Sequence, residues 1–383
     1  MKTVVIIGAG FTGLPMAHKL LIYTVPKLKD GLKVVLVSPN SHFYWNLAAT
    51  RGVIPGAISD DELFIPIASA FSQYSANNFE VVLGKADRLE PGANTVHVVC
   101  NDGTQRGISY DHLVIASGSS IRNGLPFKTL DTYEATLTAL HSLQNKIKNA
   151  TSIVIAGAGP TGIETAGELA AVYGNKKQIT LLDSNDRVLL GSGVLHSVSE
   201  TVEKDLQKLG VKVIHNAKVQ TVNENPEGGQ ATVQLSNGTV LAADLYIPLF
   251  GVQVNTNWLP PALLDESGNV KLDSYMRVEG TVNIWGIGDV GNLEPKQITN
   301  TDQQIIHLAE TLDADLTGEE VTKVYKPLDK TRIFVSLGKS YGTGQMGTWK
   351  VWGWTVNYIK GRKIFVDSAP GYVGGKALRH TSM

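Results

Sequence analysis

Two copies of the glycine pattern G-x-G-x-x-G constrain the fold of this chain more than any other feature. The first copy spans residues 8–13 and the second spans residues 157–162. Each copy follows a short β-branched run and precedes a helical segment, which is the context in which the pattern forms a dinucleotide-binding turn. Because about 150 residues separate the copies, each has room for its own βαβ unit, and the pattern predicts two nucleotide-binding domains.

The first copy, here called the first finger, has both flanking elements. The apolar run at residues 4–7 is typical of a buried parallel strand, and a helical segment covers residues 14–21. The glycines of such a turn permit a tight bend, close approach of the backbone to a pyrophosphate, and close helix–strand packing. The residues predicted to hold the pyrophosphate are Gly8, Gly10, Phe11, Thr12 and Gly13.

The next strand, residues 33–37, ends at Ser38, where such domains usually present a carboxylate to the adenosine ribose. A serine hydroxyl can bond to a ribose oxygen without charge assistance, so Ser38 is the predicted contact. The alternative is a glycine turn that binds no nucleotide, which the flanking strand and helix disfavour.

The second copy, the second finger, is complete. A strand at residues 152–156 precedes it, and the strand after its helix ends at Asp183. A carboxylate there accepts hydrogen bonds from ribose hydroxyls and repels a 2′-phosphate, so NADH is expected, with NADPH as the alternative because Arg187 is near. The predicted glycine contacts are Gly157, Gly159 and Gly162.

Three other apolar strands end in residues that suit a nucleotide's surroundings. An aspartate after the strand at residues 282–287 can bond to a ribityl hydroxyl, its alternative being an ordinary capping or turn aspartate. The residues predicted at these strand ends are Ser117, Gly118, Gly251 and Asp289.

These motifs in this order resemble the two-dinucleotide flavoprotein superfamily, and in particular its apoptosis-inducing-factor-like, ferroptosis-suppressor (AMID-type) family of NAD(P)H:quinone oxidoreductases. The similarity covers essentially the whole chain and includes S-H-F-Y-W-N-L-A-A-T-R at 41–51, G-K-A at 84–86, I-W-G-I-G-D at 284–289 and a block at 335–345. It implies an α/β fold: two Rossmann-like dinucleotide-binding domains of the glutathione-reductase type and a small C-terminal α+β interface domain. The expected division is 1–120 and 250–325 for FAD, 121–249 for NAD(P)H, and 326–383 for the interface domain.

The resemblance also implies roles for single residues. It assigns FAD contacts to Arg51, Ala86 and Asp289. It places Glu164 near the contact between flavin and nicotinamide, as the catalytic candidate, in a pair with a basic residue. Arg51 is the first candidate for that partner and Lys85 the second.

The sequence departs from this family at two places. Ser38 replaces the usual acid, so an adenosine-ribose contact without charge assistance is expected, and FAD binding itself is expected. The exit Pro-Leu-Phe-Gly at 248–251 is bulkier than the small-residue exit of relatives, and this bulk is expected to reshape the nicotinamide side.

Composition limits the chemistry. The only cysteine, Cys100, cannot form an internal disulfide or a CxxC pair, so no cysteine relay is expected. Lys plus Arg (34) nearly equals Asp plus Glu (35). The chain therefore has no excess of positive charge that would indicate binding to nucleic acid or to an anionic membrane. We find no run of about 18 apolar residues, no signal peptide and no metal-site motif, so a cytoplasmic protein is expected.

Residues 348–358 contain three of the six tryptophans, Trp349, Trp352 and Trp354, and basic residues follow this stretch. The favoured interpretation is that these rings form the core of the interface domain. They can also line a pocket for a flat aromatic acceptor, or touch a membrane surface peripherally. His307, on the helix after Asp289, is expected to be structural.

The expected reaction is hydride transfer from nicotinamide C4 to flavin N5, followed by direct delivery of electrons to a diffusible acceptor, with a quinone as the first candidate. One rival is a flavin-dependent biosynthetic oxidoreductase or oxidase that acts on an aromatic specialised metabolite. A second rival is a non-enzymatic redox-sensing or death-signalling flavoprotein. The oligomeric state is left open.

Overall fold

The computed structural model describes residues 1–190, 193–223, 229–328 and 330–376, and for Ile359 it describes the backbone only. Within these residues the strands, β1 to β21 in chain order, are Lys2–Ile7, Leu32–Ser38, His42–Tyr44, Phe64–Pro66, Phe79–Glu90, Thr95–Cys100, Gln105–Ser109, His112–Ile115, Ser119–Ile121, Ser152–Ala156, Gln178–Leu182, Lys212–Ile214, Val219–Asn223, Ala231–Leu235, Val240–Ala243, Leu245–Pro248, Val252–Val254, Ile284–Gly286, Arg332–Leu337, Tyr341–Met346 and Trp349–Val351. The α-helices, α1 to α10, are Gly13–Lys19, Ala49–Gly52, Asp60–Leu63, Ile67–Ala70, Tyr133–Asn149, Pro160–Tyr173, His196–Lys208, Ile298–Thr317, Gly353–Val356 and Ala369–Val373.

The first sheet has the strand order β18-β8-β1-β2-β5-β6-β7. Its five strands from β18 to β5 are parallel, and β6 and β7 continue it as an antiparallel ribbon. Strand β1 is apolar from Val4 to Ile7 because this part of it is buried on both faces. Val4 and Ile6 pack into one hydrophobic cluster, while Val5 and Ile7 pack into another on the opposite face.

The second sheet is smaller, with parallel strands in the order β12-β11-β10-β16. A three-stranded antiparallel sheet, β13-β14-β15, packs against it through a separate apolar cluster. The chain then returns to the first sheet at β18. The predicted class, two Rossmann-like domains, is therefore confirmed. The return of β18 supports the discontinuous division, whose boundaries stay a prediction.

Residues 330–376, called the C-terminal segment below, form an antiparallel sheet, β19-β20-β21, followed by α9 and α10. Strand β19 packs against α6, the helix of the second finger, where a Cβ on Gly167 would lie 2.7 Å from a Leu337 methyl carbon. Helix α10 reaches back to the first finger, because Oη of Tyr372 donates to the carbonyl of Phe11 at 2.7 Å. The C-terminal segment therefore contacts the first glycine turn and the helix that follows the second.

Candidate functional site

The first finger lies where three parallel strands end side by side. Strands β1, β8 and β18 are neighbours, and their carboxyl ends lead into Gly8, Ala116 and Ile287. The carboxyl edge of such a sheet is where open α/β folds bind nucleotides. The predicted contacts of the first finger, Ser117, Gly118 and Asp289 therefore share one edge of the sheet.

The backbone at the first finger has no room for side chains at two of its glycines. Gly8 has φ +110°, and a Cβ there would lie 2.3 Å from the carbonyl oxygen of Ala116. A Cβ on Gly13 would lie 1.9 Å from the carbonyl oxygen of Gly8. A Cβ on Gly10 would meet nothing within 4 Å. The turn is thus tightly packed at Gly8 and Gly13 and open at Gly10. This shape fits a pyrophosphate lying against Gly10.

Asp289 lies beside the first finger in a charged cluster that the sequence did not reveal. Its Oδ2 accepts from Nζ of Lys128 at 2.7 Å and from Oγ of Ser119 at 2.5 Å. Although burial opposes it, the Lys128 ammonium and these hydrogen bonds lower the pKa of Asp289 below its ordinary value. Gly288, with φ +81°, approaches Thr12 of the first finger. The carboxylate therefore stays ionised, and its contact with a ribityl hydroxyl stays a prediction.

The other FAD candidates lie along the same edge. Ser38 is buried at the end of β2 and bonds within its own turn, where Oγ donates to the carbonyl of Asn40 at 3.1 Å. Oγ of Ser117 donates to the carbonyl of Asn255 at 2.7 Å. Ala86 is buried in β5. Their contacts with FAD stay predictions.

The second finger repeats the geometry of the first. Gly157 has φ +113°, and a Cβ there would lie 2.5 Å from the carbonyl oxygen of Leu249. A Cβ on Gly162 would lie 1.9 Å from the carbonyl oxygen of Gly157, and a Cβ on Gly159 would meet nothing within 4 Å. The two turns are therefore equivalent in shape, and both leave the middle glycine open to a phosphate.

Asp183 lies at the end of β11, as the sequence predicts, but its carboxylate is buried and already bonded. Oδ1 accepts from the backbone N–H of Asn185 at 3.0 Å, and Oδ2 lies 3.3 Å from Nδ1 of His215. Nε2 of His215 lies 2.9 Å from Oε1 of Glu203. Nothing in the local sequence pattern of the second finger pointed to His215 or Glu203.

The exits of the two domains pair with each other. Strand β17 runs antiparallel to β9, with Val252 opposite Ile121. Gly251 precedes this ribbon with φ +74°, next to the Arg122 side chain. Phe250 is half exposed (50%), and its Cβ lies 3.5 Å from the position of a Cβ on Gly157. The bulky exit therefore presents an aromatic ring beside the second finger.

Glu164 is buried on α6, but its basic partner is Lys360 and not one of the two predicted residues. Nζ of Lys360 lies 2.5 Å from Oε1 of Glu164, which also accepts from the backbone N–H of Ser336 at 2.9 Å. Lys85 pairs with Asp131 on the surface. Both predicted partners are wrong because the C-terminal segment, distant in sequence, brings its own lysine to α6.

Arg51 instead pairs with Glu168, one helical turn beyond Glu164. Its Nε and one terminal nitrogen bond to the two carboxylate oxygens at 2.8 Å and 2.7 Å. The remaining guanidinium bonds go to the carbonyls of Gly361 and Arg362. Both charged side chains are at most 5% exposed. Arg51 therefore joins three parts of the chain, and its contact with FAD stays a prediction.

The aromatic side chains of the C-terminal segment are exposed, so the prediction that they form a core is wrong. Trp349, Trp352, Trp354 and Tyr358 are 79%, 71%, 70% and 64% exposed. The segment is too short to bury both faces, and Val356 is the side chain of α9 that packs on β20. Met346 is exposed nearby at 52%. These five side chains are called the aromatic face below.

A cavity of about 680 Å³ lies along α8. Helix α8 contacts the residue before Asp289, since Oε1 of Gln304 accepts a hydrogen bond from the backbone N–H of Gly288 at 2.7 Å. Buried His307 is part of the wall. The lining includes Thr299, Asp302, Gln303, Ile306, His307, Lys323, Tyr325, Lys326 and Arg332.

The chain matches the pyridine nucleotide-disulphide oxidoreductase family over residues 2–304. It is 41% identical to oxidoreductase ptaL of Pestalotiopsis fici, with 99% of this chain and 100% of the relative covered. It is 27% identical to ferroptosis suppressor protein 1 of Taeniopygia guttata over 96% of this chain and 94% of the relative. The sulfide:quinone oxidoreductase of Aquifex aeolicus has the same fold, with a TM-score of 0.78 at 20% identity, covering 98% and 92% of the chains.

The protein therefore belongs to the pyridine nucleotide-disulphide oxidoreductase family, an enzyme family whose cofactors are FAD and NAD(P)H. The predicted resemblance, the fold class and the two cofactors are confirmed. The family name refers to a disulfide, whereas this chain has only Cys100.

Proposed function

We propose that this member of the family passes electrons from NADH, through FAD, to a quinone or another flat aromatic acceptor without a cysteine relay. The observation that carries the proposal is the pair of geometrically equivalent fingers in a chain with a single cysteine. When bound, the cofactors supply the redox chemistry, since a flavin takes a hydride from a nicotinamide and can release electrons to a second substrate. The chain's own residues bind, orient and shield them.

The charged groups of the site suit positioning roles. Asp289, which the Lys128 ammonium keeps ionised, would accept a hydrogen bond from the ribityl chain of a bound flavin. Glu164 and Lys360 form a mostly buried pair between α6 and the C-terminal segment. A pair of that kind fixes the distance between the second finger's helix and the segment that covers it. We assign Glu164 to positioning at the contact between flavin and nicotinamide.

Anaerobic mixing with NADH tests the proposal directly. The yellow protein is expected to bleach at flavin wavelengths with NADH and to recover its colour when a quinone is added. In Lys360→Met, Glu164 loses its cation, and flavin reduction is expected to slow by on the order of tenfold, with a changed pH profile. Lys363→Met is the matched control because Lys363 belongs to an exposed pair with Asp367. A flavin that neither NADH nor NADPH bleaches contradicts the proposal.

A biosynthetic oxidoreductase acting on an aromatic metabolite is the second candidate. Two observations favour it: Phe250 is exposed beside the second finger, and charged side chains line the cavity along α8. Lys326 and Arg332 in that lining suit an acceptor with acidic or phenolic groups better than a bare hydrocarbon. Turnover of such a compound with little turnover of any quinone would establish this candidate instead.

We also propose that the aromatic face rests on an anionic membrane surface. Although the net charge of the whole chain is nearly balanced, residues 330–376 have a local excess of positive charge. They contain eight of the 34 Lys and Arg residues but one of the 35 Asp and Glu residues. Exposed tryptophan and tyrosine beside basic side chains is the composition of a membrane-interface contact. A symmetric pairing of two copies through this face would bring like charges together. No described helix is long and apolar enough to span a bilayer.

Vesicle sedimentation tests this contact. Wild-type protein is expected to bind vesicles of phosphatidylcholine with phosphatidylserine, to bind pure phosphatidylcholine more weakly, and to dissociate in high salt. Trp352→Ser/Trp354→Ser is expected to weaken binding by at least on the order of tenfold. Val240→Ser/Val282→Ser, which alters apolar side chains exposed elsewhere, is the control. A double tryptophan variant that binds normally, or whose only change is loss of a dimer, contradicts the proposal.

A further inference from the structure

The domain that carries the second finger contains a titratable side chain that no motif accounts for. His215 follows β12 directly, and its ring lies between two carboxylates. Nδ1 lies 3.3 Å from Oδ2 of Asp183, and Nε2 lies 2.9 Å from Oε1 of Glu203. Asp183 comes from the end of β11 and Glu203 from α7. The ring thus joins the ribose-side carboxylate to a helix on the flank of the domain.

The burial of Asp183 makes this arrangement consequential. Its side chain is 3% exposed, whereas the His215 side chain is 23% exposed and in reach of solvent protons. Burial raises the pKa of Asp183, against hydrogen bonds from Asn185 and His215 that lower it. Burial lowers the pKa of His215, but the hydrogen bonds and charges of Glu203 and Asp183 outweigh it and raise that pKa. Within the part of the chain that the structure describes, these two carboxylates are the charged groups that face the ring.

The charge on His215 decides what Asp183 presents to a ribose. With a neutral imidazole the carboxylate keeps its full charge, which accepts hydrogen bonds from a 2′-hydroxyl and repels a 2′-phosphate. With an imidazolium 3.3 Å away the pair is neutral, so the repulsion falls. Arg187, four residues after Asp183 in the chain, is partly exposed and carries a positive charge.

We propose that His215 sets the preference between NADH and NADPH by neutralising Asp183, so that discrimination against the 2′-phosphate weakens when the imidazole is protonated. This inference rests on the proposed nicotinamide site at the second finger. It adds a specificity-determining residue that lies 32 positions from Asp183 in the chain. At low pH the enzyme accepts both nucleotides, and at high pH it favours NADH.

Calorimetric titration of the FAD-loaded protein with NAD⁺ and with NADP⁺ between pH 6 and pH 8.5 tests the proposal without turnover. The ratio of the two dissociation constants, NADP⁺ over NAD⁺, is expected to fall on the order of tenfold as the pH decreases through the His215 pKa. In His215→Gln the ratio is expected to stay near its high-pH value. The 2′-phosphate titrates in both proteins, so the difference between them isolates the histidine.

Glu203→Gln is the second variant, and it does not depend on the first one folding. Loss of the Glu203 charge lowers the His215 pKa, so the fall in the ratio is expected at lower pH than in wild type. Identical pH profiles for wild type and both variants would overturn the role of His215 and leave the proposed function intact. If a yellow wild-type protein bound neither nucleotide, the proposed nicotinamide site would fail, and this inference with it.

Discussion

Gly10→Val is expected to give a folded but colourless protein, and Gly159→Val a folded yellow protein that NADH no longer reduces. The two glycines occupy equivalent positions, and a Cβ on either would meet no protein atom within 4 Å. The added side chain therefore costs the apoprotein little and instead occupies the space predicted for a pyrophosphate. Overpacking of this kind costs about 1–3 kcal/mol or more, so nucleotide affinity should fall by on the order of 100-fold.

The measurements are the flavin absorbance of each purified variant and the rate at which NADH bleaches it anaerobically. Circular dichroism and thermal unfolding with and without added FAD establish that the apoproteins fold. Gly13→Ala and Gly162→Ala are the contrasting variants, because a Cβ there would lie 1.9 Å from a carbonyl oxygen. They are expected to unfold and not merely to lose a ligand. A Gly10→Val protein that retained FAD normally would disprove the assignment of the first finger.

The fingers could be predicted from the sequence because their strand, turn and helix follow one another within about 20 residues. The tight packing of Gly13 and Gly162 is also local, since a Cβ on either would meet the carbonyl oxygen of the first glycine of the same turn. Asp289 was predictable for a similar reason, since it lies three residues after the end of a strand. Its partner Lys128 was not, because it lies 161 residues away with no motif around it.

The charged pairs around the C-terminal segment could not be predicted from local sequence patterns. Arg51 and Glu164 were both identified, but the pairing depended on which turn of α6 faces which element. Glu168 faces Arg51, and Glu164 faces Lys360, which is 196 residues away. The prediction that the tryptophans form a core was wrong for another reason. Tryptophan is usually mostly buried, and no local pattern in residues 348–358 showed that Trp349 on β21 and the tryptophans at the start of and within α9 would be exposed.

The buried Arg51–Glu168 pair carries the second large prediction. Glu168→Ala leaves the Arg51 guanidinium buried without a counter-charge, which is expected to destabilise the protein by about 3–5 kcal/mol. The loss should appear in denaturant unfolding of the FAD-loaded protein as a lower midpoint. It should also free residues 361–362, whose carbonyls bind the same guanidinium. Proteolysis near the C-terminal segment is expected to be faster in this variant.

Arg51→Met/Glu168→Met separates an unpaired charge from lost packing. Removing both charges together avoids the uncompensated ion, so the double variant is expected to recover much of the stability that Glu168→Ala loses. Lys363→Ala, which breaks the exposed pair with Asp367, should cost less than about 1 kcal/mol. If the double variant were no more stable than Glu168→Ala, the buried charge would not be the cause. The pair would then act through the shape it gives to the junction between α2, α6 and the C-terminal segment.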